Sequence, residues 1–217
     1  MKNPLASLRN ATETLGRVED PDLRAQLLDI ARHDVRRIDR LITEISDASR
    51  IDAERSRATF ARVDLLALTR AIVGNLEDRD QNEGHPIRVE AAAGDYTVLG
   101  EPSRLERVLV NLLDNAVSFS PPRGEVVVTL ARAGGRVSLA VADAGPGIAP
   151  DRRETVFRRF HSLRPEGEDF GNHSGLGLAI ARSIAEAHDG TLTATDRPDG
   201  APGARLLLDL PAAGASK

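Results

Sequence analysis

The chain has 217 residues, 41% hydrophobic and 29% charged, with a formal net charge of −4. This is the composition of a soluble globular protein, and its mild acidity excludes a general affinity for nucleic acid or an anionic membrane surface. Cysteine is absent and lysine occurs only as Lys2 and Lys217, which removes disulfides, thiolate zinc sites and any lysine-dependent P-loop; no apolar run approaches the roughly 20 residues needed to cross a bilayer.

The N-terminal region reads as two helices. Leu5, Leu8, Thr12 and Leu15 recur at steps of three and four, and Leu28, Ala31, Val35, Ile38, Ile42 and Ile45 continue that spacing after a turn at Gly16–Pro21. Asp20-Pro21 is a helix start signal. Residues 1–55 are thus expected to form an antiparallel helical hairpin. One apolar stripe cannot be buried within such a hairpin, so a second copy completes a dimeric four-helix bundle, or the stripe packs on the downstream domain.

From about Phe60 the pattern becomes mixed α/β, and residues 59–213 are expected to form a second domain. Leu65 to Leu76 reads as helix, Ile87 to Glu90 and Thr97 to Leu99 as short strands, and Glu101 to Val117 as an apolar helix. Glu125 to Leu130 and Val137 to Val141 are β-branched runs joined by Ala133-Gly134-Gly135, a hairpin signal. Gly175 to Ala187 reads as a helix with Gly190 as its C-cap, followed by strands Thr191 to Thr195 and Arg205 to Leu210. The fold class is α+β.

Three stretches of the second domain carry candidate chemistry. In NLLDNAVSFS, Asn111 and Asn115 are four apart and share a helix face, where two amide oxygens suit a hard cation such as Mg²⁺; an ordinary polar stripe reads the same way. In DAGPGIAP, Asp143 follows a strand and can accept a hydrogen bond from an exocyclic amine such as that of adenine, while Gly145 and Gly147 permit close backbone approach. In GLGLAIARSIAEAHDG, glycines open a helix, so backbone N–H groups and the helix dipole can cradle phosphate without lysine.

In this order and spacing the three stretches resemble the N, G1 and G2 boxes of the GHKL ATP-binding fold of sensor histidine kinases, gyrase-type topoisomerases, Hsp90 and MutL. VFRRFHSLRP between the second and third looks like a histidine-kinase F box, and KNPLASLRN looks like the end of an H box. RPEGEDFGNHSGLGL further resembles the lid of the alphaproteobacterial ChvG-type kinases. The resemblance implies a two-layer α/β ATP-binding sandwich behind a phosphotransfer hairpin. It also implies roles: Asn115 as Mg²⁺ ligand, with Asn111 a turn earlier as a second contact to metal or phosphate; Asp143 as the adenine reader above Gly145 and Gly147. Phe157 and Phe160 would hold a lid from about Ala149 to Ser174, and Arg159, with Arg158 and Arg164 behind it, is a candidate for the γ-phosphate. Gly175, Leu176, Gly177 and Leu178 match the G2 turn. Where many relatives have a Lys-aromatic pair, this chain has Ser118-Phe119. Asn111 stands where gyrase-like members have a general-base Glu, and an amide cannot take a proton from water; ATP would be held for transfer rather than fast hydrolysis.

Five histidines occur: His33, His85, His161, His173 and His188. None is followed by the family's acidic residue and Lys-Asn-Pro string, and all five read as structural or solvated, His188 as a cation suited to a helix C-terminus. Lys2-Asn3-Pro4 matches the end of that string, which places the expected acceptor just before Met1 and makes Asn3 a candidate for orienting water in dephosphorylation of a partner. The resemblance implies ATP and Mg²⁺ as cofactors, a response-regulator receiver domain as partner, a homodimer through the hairpin, and a membrane-anchored parent with this portion in the cytoplasm. A GHKL-type ATPase and a non-catalytic, nucleotide-dependent interaction module are the alternatives.

Overall fold

The computed structural model describes residues 13–15, 18, 20, 23–24, 27–28, 31, 60–78, 84–159 and 175–214. The chain divides into two compact units, the second comprising 51–162 and 175–217. In the first unit, residues 13–15, 23, 24, 27, 28 and 31 are helical. Asp20 starts a helix as expected: its Oδ1 accepts the Leu23 N–H at 3.4 Å and its carbonyl the Arg24 N–H at 3.0 Å. Most of the expected hairpin seam, with Asn3, Pro4 and His33, lies outside the described residues.

The second unit runs β1 (Ala61–Asp64), α1 (Leu65–Asp78), β2 (Ile87–Ala91), β3 (Thr97–Gly100), α2 (Pro102–Phe119), β4 (Val126–Ala133), β5 (Arg136–Ala142), α3 (Gly177–Ala187), β6 (Thr191–Thr195) and β7 (Arg205–Pro211). Among the described residues the strands form a five-stranded sheet, β2-β4-β5-β7-β6, and a two-stranded sheet, β1-β3. β2 and β4 are parallel and the remaining pairs antiparallel. The hairpin β4-β5 turns at Gly134-Gly135, both with positive φ (56° and 76°), as that dipeptide predicts.

The helices cover one face of the large sheet. β7 shows why: Leu206, Leu208 and Leu210 alternate with half-exposed Arg205, Leu207 and Asp209, and each is 1% exposed. Burial of such a side chain contributes about 1.5–3 kcal/mol. α2 supplies the opposing layer through Leu105, Val108, Leu109, Leu112, Leu113, Ala116 and Val117. Their three-and-one spacing leaves Asn111, Asn115 and Ser118 on a different flank of the same helix. Pro102 opens α2, and the Pro121-Pro122 pair just beyond Ser120 forbids its continuation. The mixed α+β architecture expected from the sequence is the one observed. Among the described residues, no helix is long and apolar enough to cross a membrane.

The ends of α3 depart from expectation. The helix begins at Gly177, not Gly175, because Gly175 takes φ +71° as a turn residue. At the other end Asp189, not Gly190, has the left-handed backbone (φ +54°). Gly190 is required for space: a Cβ there would run into the Leu210 side chain and lie 2.5 Å from the Asp209 carbonyl oxygen. His188 is buried, and its surroundings disfavour the charge that a helix C-terminal turn would favour. Burial pushes its pKa down. Its Nδ1 lies 2.7 Å from the Ile184 carbonyl and Nε2 accepts the Glu101 N–H at 3.0 Å, which fixes the Nδ1–H tautomer. The ring stacks on Phe60 with centroids 4.9 Å apart.

Candidate functional site

The centre of the site is the turn that follows β5. Strand pairing delivers Asp143 to the end of the buried middle of the sheet, where it is 2% exposed. Its Oδ1 accepts two backbone N–H groups, Gly145 at 2.8 Å and Ala204 at 3.0 Å, so neither bond consumes Oδ2. Burial raises the Asp143 pKa, opposed by those two hydrogen bonds and by the nearby Arg197 cation. A carboxylate held this way is a directed acceptor for one further donor.

The glycines of this turn are needed first by the protein itself. A Cβ on Gly145 would lie 2.5 Å from the Phe119 carbonyl oxygen, at the end of α2, and Gly147 (φ +80°) would meet the Gly203 carbonyl oxygen at 3.0 Å. The turn is thus pressed between the end of α2 and the loop before β7. Ser120 Oγ adds a bond from the Ala144 N–H at 3.3 Å.

Asn111 and the start of α3 come together. Asn111 Nδ2 donates to the Gly177 carbonyl at 3.1 Å, and a Cβ on Gly177 would approach Asn111 Oδ1 to 3.5 Å. One of the two Nδ2 protons joins the two helices, and Oδ1 remains the acceptor that this amide can offer to a ligand. Asn115, one turn on, is half-buried, on the same flank of the helix as Asn111. Leu176 is 2% exposed and anchors the turn, while Gly177 and Leu178 start α3 and present N–H groups that a first helical turn leaves without intrahelical acceptors.

The F-box segment is tied to α3 by Arg182. Its guanidinium lies 5.0 Å over the Phe157 ring, and it bonds Glu154 at 2.8 Å and Glu186 at 3.3 Å. Arg153 bonds Asp196 at 2.5 Å and the Ile148 carbonyl at 3.4 Å. Arg158 and Arg159 are exposed. Phe160, His161, Arg164 and His173 lie outside the described residues.

Three residues that bear on the site had not stood out in the sequence: Arg197, Gly203 and Ala204, in the β6–β7 connection. Their signal was a run of Asp, Pro and Gly, DRPDGAPGA, which reads locally as an ordinary closing turn.

The fold and this site define a class, and sequence comparison agrees. Residues 100–214 match the family described as histidine kinase-, DNA gyrase B-, and HSP90-like ATPase, to which the chain therefore belongs. Residues 1–54 match the His Kinase A (phospho-acceptor) domain, giving the domain pair of sensor histidine kinases. The chain is similar to the sensor protein ChvG of Rhizobium meliloti, with 44% identity over 98% of this chain and 38% of that protein. It thus spans about two fifths of the curated relatives' length. Among solved structures it resembles the mycobacterial sensor histidine kinase MprB (32% identity, TM-score 0.60, covering 70% of this chain and 97% of the other). It shares its fold with histidine kinase ThkA solved in complex with response regulator TrrA (21% identity, TM-score 0.76, covering 100% of this chain and 60% of the other).

Proposed function

We propose that this chain is the core of a two-component sensor histidine kinase, that it binds Mg²⁺-ATP at the site around Asp143, and that the γ-phosphate passes to a histidine and then to an aspartate of a response regulator. The observation that carries the reading is Asp143: a buried carboxylate whose one oxygen is saturated by backbone donors while the other is left to a ligand amine. ATP would supply the phosphoryl group and Mg²⁺ the neutralisation of its charge.

The residues fit both. Asp143 would accept from the adenine amine, which a guanine carbonyl cannot replace. Gly175, Leu176, Gly177 and Leu178 would hold phosphate by backbone N–H groups. Among the described residues no cluster of three acidic or imidazole side chains could hold a metal, so a hard cation here would use the Asn115 and Asn111 amide oxygens together with phosphate oxygens. Arg159, exposed beside the buried Phe157, would meet the γ-phosphate. Asn111 offers no base to activate water, which favours transfer over hydrolysis. Asn3 would orient water when the regulator is dephosphorylated. The hairpin over residues 1–55 would supply the homodimer interface and the receiver-domain contact, as part of a membrane-anchored sensor whose core lies in the cytoplasm.

Calorimetric titration of the chain with ADP tests the site: one-to-one binding strengthened by Mg²⁺ and lost in Asp143→Asn is expected, and its absence overturns the reading. With γ-labelled ATP, slow turnover and no acid-labile label on any of the chain's five histidines are expected. Rapid acceptor-free release of phosphate would instead mark an ATPase.

A further inference from the structure

The β6–β7 connection, residues 196–204, does more than close the sheet. We infer that Arg197 is a positioning residue of the nucleotide site: it locks this connection onto the backbone of Asp143, and the connection in turn sets the direction of the carboxylate. The inference rests on the reading of Asp143 as the adenine acceptor.

Asp143 meets the connection at three of its polar atoms. Its N–H donates to the Ala204 carbonyl at 3.0 Å, its Oδ1 accepts the Ala204 N–H at 3.0 Å, and its carbonyl accepts Arg197 Nη1 at 2.9 Å. The bond from the Gly145 N–H is local to the turn; these three are not. Where the connection lies therefore decides where Oδ1 is held and where Oδ2 points.

The connection has no ladder of its own over these residues, and it contains Gly200 (φ +70°) and Gly203 (φ +134°), backbone types that resist no other conformation. Its start is held by the Arg153–Asp196 pair, and between there and Ala204 the side chain that ties it to Asp143 is Arg197. Its Nε and Nη2 fork onto Asp199 at 3.1 and 2.6 Å, and Asp199 also accepts the Ala201 N–H at 3.2 Å. With two donors committed to Asp199, the planar guanidinium aims Nη1 at the Asp143 carbonyl. The Arg197 side chain is 15% exposed, though Asp199 is 52% exposed. Gly203 closes the other side of the same carbonyl: a Cβ there would run into the Asp143 oxygen and lie 3.0 Å from Arg197 Cδ. The same arginine places a positive charge that favours ionised Asp143. Lysine has the charge but not the fork.

The test is ADP binding by the whole chain across a pH series, for wild type, Arg197→Met, Arg197→Lys and Asp143→Asn. Arg197→Met should weaken ADP roughly tenfold and move the acid loss of binding to higher pH, because the cation that favours the carboxylate is gone. Arg197→Lys should weaken ADP without moving that acid limb, and it carries the test alone if Arg197→Met does not fold. Wild-type affinity in the lysine variant overturns the inference. So does a methionine variant that loses affinity with its acid limb unmoved, the behaviour of a merely structural residue. Wild-type affinity in Asp143→Asn would instead overturn the adenine reading itself; loss there with an unaffected Arg197→Met would overturn only the role of Arg197.

Discussion

At Asp143 two demands conflict: the residue is buried, and the proposed contact with the adenine amine is strongest from an ionised carboxylate. Burial raises its pKa from the ordinary carboxylate value, against the two backbone hydrogen bonds and the Arg197 cation. A raised carboxyl pKa makes the folded state hold its proton more tightly, so this group's contribution to stability grows as pH falls and is unfavourable at neutral pH. Asp143→Asn, which keeps an acceptor for Gly145 and Ala204 without the charge, should therefore abolish ADP binding without lowering the thermal midpoint at pH 7. A scanning-fluorimetry melt beside the titration checks both. His188 has the opposite sign. Its pKa is lowered, so its stabilisation is full above the ordinary imidazole value of about 6.5 and is lost as pH falls through the folded value. Protonated Nε2 would also face the Glu101 N–H, donor against donor. His188→Gln should cost about 1–3 kcal/mol at pH 7 and flatten the acid dependence of chemical denaturation below pH 6.5; an acid dependence identical to wild type would contradict this role.

At the scale of elements, the packing of glycines makes the sharpest claims. Gly145→Ala would press a methyl against the end of α2 at Phe119, and Gly190→Ala would press one against β7. Both should destabilise by about 1–3 kcal/mol, but only Gly145→Ala should also weaken ADP beyond its effect on folding, since only that turn carries Asp143. Arg182→Ala removes the cation over Phe157 and the tie to Glu154. Tryptic cleavage after Arg158 and Arg159 should then be several-fold faster with little change in the melt. These elements also show what the sequence could reveal. α2 and the β4-β5 hairpin were legible because their signals are local: Leu and Val at helical spacing, β-branched runs, a Gly-Gly turn. β1 was not, because Ala61–Asp64 buries only Val63 and exists by pairing with β3. Glycine is the usual αL occupant, so the sequence points to Gly190 for the end of α3; Asp189 takes that backbone, and the glycine answers to Leu210 on β7.

The molecule as a whole explains why the site was half legible. Asn111, Asn115 and Asp143 announce themselves through spacing within one helix or one turn. Arg197 and Ala204 reach Asp143 from 54 and 61 residues away, across strand pairings that no local pattern encodes. The sheet brings these together because β5 and β7 are neighbours, so the end of one strand and the loop entering the other must meet. If residues 1–55 form the proposed dimer interface, sedimentation equilibrium should give twice the 23.3 kDa chain mass at micromolar concentration. The central claim, that this meeting point reads the adenine amine, is tested most directly by titrating the chain with ADP and with inosine diphosphate, which carries an oxo group in place of that amine. Binding of ADP at least ~10-fold tighter is expected, because the analogue leaves a buried acceptor unpaired; equal affinity for the two would contradict it.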